Sequence, residues 1–156
     1  MESLTLNLVL FMGILILLNV PAYFLGLRFQ GNEPQKRLWF EPPGFVIPLV
    51  WVGLFTLLAI LRHQLLLEGQ NQLAMMIVIL AVVCASYAYY TLGLEKLTGI
   101  SALKFGLAGN ILVLLAAFWV GVQVADLSSN LSYLIFPIVA WTFFATMIII
   151  GQLRRA

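Results

Sequence analysis

Residues 9–18 read VLFMGILILL, and residues 75–83 read MMIVILAVV. Neither run alternates polar with apolar residues, as a half-exposed strand or a membrane β-barrel strand does. Neither shows the polar stripe of a helix lying on a water-soluble core. Working outward from the first run, no charged residue is met between Leu4 and Leu27. A helix crosses the hydrocarbon of a bilayer in about 20 apolar residues. The stretch is long enough to span.

Four more stretches of that kind follow, Gly44–Leu67, Leu73–Leu94, Ala102–Val124 and Leu131–Leu153. The segments Arg28–Glu41, Arg62–Gln72, Glu95–Ser101 and Asp126–Asn130 carry nearly all the charge. Across 156 residues, 63% are hydrophobic and 9% charged, with a mean hydropathy of +1.06. A soluble domain carries roughly 25% charged residues. These observations predict an all-α polytopic membrane protein, a single domain over residues 1–156 built as a five-transmembrane-helix bundle. Short connections make consecutive helices antiparallel neighbours. The first span has no basic residue before it and is too long for the apolar core of a signal peptide, so it reads as a retained helix.

Lysine and arginine counts set the orientation. Arg28, Lys36, Arg37, Lys96, Lys104, Arg154 and Arg155 fall on one side and only Arg62 on the other. The expected topology places the N-terminus outside and the C-terminus in the cytoplasm. The absence of a presequence points to a bacterial inner membrane.

The same charge deficit excludes nucleic acid as a partner, because a phosphate backbone needs a dense cationic face. Ion pumps and proton-coupled transporters place ionisable groups inside the membrane, whereas Arg62, His63, Glu68 and Lys104 all sit near span ends. Cys84 is the only cysteine and His63 the only histidine, so neither a disulfide nor a metal cluster is expected. No Ser–His–Asp set or Gly-rich phosphate loop occurs, which leaves side-chain acid–base catalysis unsupported.

What the spans do hold is aromatic. Trp51 lies ~10 Å along the second span and Trp141 ~15 Å from the inner end of the fifth, at 1.5 Å per residue. Both are too deep for the interfacial aromatic belt and lie at comparable depth. Phe55 sits one turn after Trp51, and Ala145 one turn after Trp141. A large indole beside a small residue leaves room for a flat ligand. Plain aromatic packing between helices is the other reading.

The stretch from Phe40 to Trp51, FEPPGFVIPLVW, resembles the signature that opens helix 2 in the TspO/MBR family, the tryptophan-rich sensory proteins related to the mitochondrial translocator protein. The double proline and final tryptophan keep the spacing of W-x-P-P-x-W-V-F-x-x-x-W, with Phe40 and Phe45 replacing two tryptophans. Residues 137–146, PIVAWTFFAT, are similar to the family's helix-5 pattern P-Y-L-x-W-x-x-F-A-T. The resemblance implies a pocket on the cytoplasmic side, closed by the first loop, that takes porphyrin or haem without a covalent link. By position it assigns Trp51, Trp141 and Ala145 to the pocket and Pro42, Pro43 and Phe45 to its entrance. Phe55 and Phe144 are expected to add apolar contact, and Trp39 to Phe45 to form the lid. Lys36 and Arg37 are expected to meet ligand carboxylates.

Pro42-Pro43 is expected in the first turn of the second helix, with Glu41 at its positive end. Pro48 and Pro137 are expected to bend their spans. The family's helix-3 pattern supplies an Asn and a Trp, where this chain has Val82 and Ala85. That departure implies a more apolar pocket, or a filled one. Tyr87, Tyr89 and Tyr90 are expected to anchor at the interface. The resemblance also implies dimerisation through helix 3, with the small residues Ala81 and Ala85 as the self-contact.

The leading expectation is a receptor or binding protein for a flat hydrophobic ligand, a tetrapyrrole or a lipid. The alternative is a small structural or assembly subunit of a larger membrane complex with its pocket closed. Light-dependent porphyrin degradation stands third.

Overall fold

The computed structural model describes residues 3–27 and 37–155. Among them all regular structure is helical: α1 (Leu4–Phe24), α2 (Val46–Leu67), α3 (Asn71–Ala85), α4 (Leu94–Thr98), α5 (Ala102–Leu127) and α6 (Ser129–Leu153), with a π-helical turn at Tyr89–Gly93. Four of these, α1, α2, α5 and α6, are each long and apolar enough to cross a membrane. The third expected span is not one straight helix. It breaks after Ala85, and the Tyr89–Thr98 segment runs at 51° to α3. The described residues thus form six α-helices, with α3 and α4 sharing one apolar stretch, and give four candidate membrane spans, or five if that bent stretch counts as one.

The break has a local cause. Ser86 Oγ donates to Val82 O at 2.7 Å, and its own amide donates to the same carbonyl at 3.0 Å. Such back-bonding competes with the helical ladder and bends it. Thr91 Oγ1 then donates to Tyr87 O inside the π turn. A π turn gains one residue within a helix and rotates every side chain beyond it.

Two proline expectations change. Helix α2 starts at Val46, so Pro42 and Pro43 precede it rather than filling its first turn. A residue before proline is pushed out of the helical region, which disfavours a helix start at Pro42. Glu41 closes a turn instead of facing the helix end: its Oε2 accepts from Leu38 N at 3.2 Å. Pro48 falls in the first turn of α2, where a missing N–H costs no hydrogen bond, so it has no ladder to break. Pro137 lies inside α6 as expected.

Packing is dense at one end of the bundle. Phe11, Phe55, Leu61, Ile77, Val124 and Ile135 are fully or almost fully buried there. Asn7 and Arg62 are buried at the same end, where Arg62 Nη1 donates to Asn7 Oδ1 and Asn7 Nδ2 donates to Ser3 O at 3.1 Å. Ser128 is the single extended residue between α5 and α6. That short joint holds the two helices side by side, with Ala117 fully buried and Gly121 close to Ile135. Small residues let helices approach in this way.

The opposite, cation-rich end is tied by capping. Gly26 takes φ +70°, and Leu27 N donates to Ala22 O at 2.9 Å, closing α1 with a glycine-type stop. Lys96 Nζ reaches across to donate to Leu25 O at 3.2 Å. Its charge meets the negative end of the helix dipole.

Candidate ligand-binding cavity

At the cation-rich end the helices do not fill the space between them. They enclose a cavity of about 900 Å³, near the top of the usual range of small-molecule sites, roughly 300–1,000 Å³. Its wall takes the C-terminal half of α1, the start of α2, the broken third stretch, the first half of α5 and the last half of α6. The alternative of a filled pocket does not hold.

Trp51 and Trp141 both line this cavity, together with Ala145 and Pro42. Each indole is backed by a phenylalanine. The Phe55 ring stands 6.0 Å from Trp51 at 75°, and Phe144 stands 5.7 Å from Trp141 at 46°. Phe55 is fully buried and also packs edge-on against Phe11. It therefore supports Trp51 from behind rather than lining the void, because one turn along α2 it points to the dense core. Phe144 likewise sits behind Trp141 and meets Phe40 at 6.3 Å.

The entrance residues divide. Trp39 is 92% exposed and Phe45 71% exposed, and neither they nor Phe40 and Pro43 belong to the cavity wall. The reason is the late start of α2, which leaves Phe45 on the turn before the helix, facing outward. An exposed indole such as that of Trp39 suits the headgroup layer. The Arg37–Glu41 turn is tied to itself and to the C-terminal end of the chain. Arg37 Nη2 donates to Glu41 O at 2.9 Å, and Arg155 Nη1 donates to Arg37 O at 3.3 Å. Leu38 is buried against Gly151 of α6, where a β-carbon would lie 2.7 Å from Leu38 Cδ1. Arg37 and Glu41 reach the cavity wall. Lys36 lies outside the described residues.

Ala81 and Ala85 do not face outward. Both are buried in the protomer's own core, and Ala85 also lines the cavity. The expected self-contact at these residues is corrected: the exposed face of α3 carries Met75, Ile79, Val82 and Val83 instead.

The wall is largely apolar but carries polar groups as well. Tyr87, Tyr90, Asn110 and Thr142 line the cavity. Only Tyr89 of the three tyrosines points elsewhere, its hydroxyl donating to Leu18 O at 2.9 Å. The break and the π turn swing Tyr87 and Tyr90 onto α5, with their rings 5.4 Å apart. Two glycines receive them. A β-carbon on Gly106 would lie 2.6 Å from Tyr87 Oη, and one on Gly109 would collide with the Tyr90 ring. The Gly106/Gly109 spacing of three, facing a Ser-Tyr-Ala-Tyr-Tyr run, is the sequence signal that points to these residues.

Among its described residues the wall offers two indoles, three tyrosines and one cation, Arg37. Such a set suits a flat macrocycle held by stacking, with a carboxylate at the mouth. The described wall holds no histidine to ligate an iron, since His63 stands far along α2.

Compared with curated proteins and with solved structures, the chain has no match. The model of the TspO/MBR family matches residues 7–154, nearly the whole length. An open hollow flanked by Trp51 and Trp141, in an all-helical apolar chain, agrees with that match. The chain belongs to the TspO/MBR family.

Proposed function

We propose that this protein is a membrane receptor for a flat hydrophobic ligand, a tetrapyrrole such as protoporphyrin IX or haem, or a lipid, bound between its helices. The observation that carries the reading is the cavity of about 900 Å³ walled by Trp51, Trp141 and Ala145. Indole faces contribute dispersion and stacking over a wide area, and Arg37 at the mouth meets a ligand carboxylate. Family membership supports a tetrapyrrole-binding or sensory role.

In this reading the bundle crosses a bacterial inner membrane five times, with α3 and the segment after it acting as one bent span. The N-terminus lies outside and the cavity opens toward the cytoplasm, following the seven-to-one cation bias. A second copy would meet the exposed face of α3. A closed assembly subunit is the weaker reading, because the hollow is open.

An absorbance spectrum of protein purified from its native membrane tests the proposal. Co-purifying pigment in an otherwise pure sample supports it. A colourless protein with a stoichiometric protein partner contradicts it. Illumination of a pigmented sample adds the porphyrin-degradation arm: bleaching that disappears in Trp51→Phe marks that activity.

A further inference from the structure

The cavity wall contains three neutral polar residues drawn from separate helical segments. Thr142 on α6 is only 2% exposed, and its hydroxyl oxygen has no hydrogen-bond partner among the described residues. The Tyr90 hydroxyl, from the π turn, is buried and equally without a partner. Asn110 on α5 is buried and directly follows Gly109, on which the Tyr90 ring rests. All three residues line the same cavity.

Thr142 and Asn110 lie at similar depth. Thr142 lies ~15 Å along α6 from Gln152, and Asn110 ~12 Å along α5 from Ala102, at 1.5 Å per residue. Gln152 and Ala102 are themselves wall residues near the mouth. The charged wall residues among those described, Arg37 and Glu41, are also at the mouth. The cavity is thus charged at its rim and neutral but hydrogen-bonding at its inner end.

A buried hydroxyl with no partner is costly, by about 1–3 kcal/mol, and a threonine in a helix normally has a carbonyl four residues back to bond. Thr146, one turn on, does bond that way, to Thr142 O at 2.7 Å. Thr142 does not. A staggered step about its Cα–Cβ bond re-aims the hydroxyl without moving the helix.

We infer that Thr142, Tyr90 and Asn110 form a neutral polar subsite that holds a carbonyl or hydroxyl oxygen on the inward end of an otherwise apolar ligand. The inference rests on the cavity being a ligand site, and it deepens that reading by fixing which end of the ligand enters. The inward end is an uncharged oxygen; any carboxylate stays at the rim with Arg37.

A matched pair of flat probes separates the two ideas. Fluorene and 9-fluorenone differ by one ketone oxygen. Calorimetric titration into protein held in lipid nanodiscs, with empty nanodiscs as the blank, gives the binding ratio. The subsite predicts that 9-fluorenone binds roughly tenfold tighter than fluorene, the value of one buried hydrogen bond. In Thr142→Val and Tyr90→Phe the ratio falls toward one. The empty Thr142→Val protein melts no lower than wild type, because no hydrogen bond within the protein is lost. Equal binding of the two probes overturns the subsite while leaving the cavity reading intact. A ketone preference that survives both substitutions, or a lowered melting point in empty Thr142→Val, also overturns it. Binding of neither probe removes the cavity reading and the subsite together.

Discussion

Tyr90 packs against Gly109 so closely that a β-carbon at position 109 would overlap its ring. This contact joins the bent third stretch to α5 and shapes one wall of the cavity. Gly109→Ala must displace the ring from its place. Overpacking of this kind costs about 1–3 kcal/mol, so the thermal midpoint in detergent falls. Gly53→Ala is the control. Nothing lies within 4 Å of a β-carbon there, on an exposed stretch of α2. Relief of glycine's helix penalty raises stability by roughly 0.5–1 kcal/mol. The two substitutions are expected to move the midpoint in opposite directions.

The buried pair at the dense end gives a second expectation. Arg62 Nη1 donates to Asn7 Oδ1, and Asn7 is fully buried. Asn7→Leu removes that acceptor from a charged donor, at a loss of about 1.5–3 kcal/mol. Adding Arg62→Met recovers much of the loss, since a charge no longer needs burial. Thermal unfolding of the single and double variants checks the order.

Much of this architecture was legible in residue order, and the failures have specific causes. Uninterrupted apolar runs locate α1, α5 and α6 because a single segment satisfies its own backbone in lipid only as a helix. Rise per residue gives the two tryptophans a matched depth, and the family resemblance is what assigns them to the pocket they line. Phe55 was misplaced because one turn of separation does not say which side of α2 faces the core. The break after Ala85 was hidden, since Ser86 and Thr91 act through carbonyl bonds that leave the hydropathy unchanged. With the break unseen, Tyr87 and Tyr90 read as interfacial anchors rather than wall residues. Ala81 and Ala85 read as a dimer stripe because small residues serve contacts within a bundle and between bundles equally well.

The Arg37–Glu41 turn is anchored by Leu38 against Gly151. Gly151→Ala pushes the tip of Leu38, which is flexible, so global stability changes little. The turn that carries Arg37 and Glu41 at the cavity mouth is loosened. A severalfold faster ligand dissociation in stopped-flow measurement is expected, with the midpoint of unfolding held within about 0.5 kcal/mol of wild type.

At the end of α1, Gly26 has φ +70° and Lys96 Nζ lies 3.2 Å from Leu25 O. Gly26→Ala forces a side chain into the left-handed region, at about 1–2 kcal/mol. Lys96→Met removes a capping charge, at roughly 0.3–1 kcal/mol. Hydrogen exchange of the last turn of α1 is expected to quicken in both, and more in Gly26→Ala.

The central claim is that Trp51 and Trp141 face one hollow and hold a flat ligand between them. Titration of the reconstituted protein with protoporphyrin IX, followed by quenching of tryptophan fluorescence, tests it most directly. Saturable quenching is expected in wild type, with affinity lowered at least tenfold in Trp141→Ala and Trp51→Ala. Trp119→Phe, a change on the exposed face of α5, is expected to bind as wild type does. Equal affinity in wild type and Trp141→Ala, or no saturable binding in either, would contradict the account.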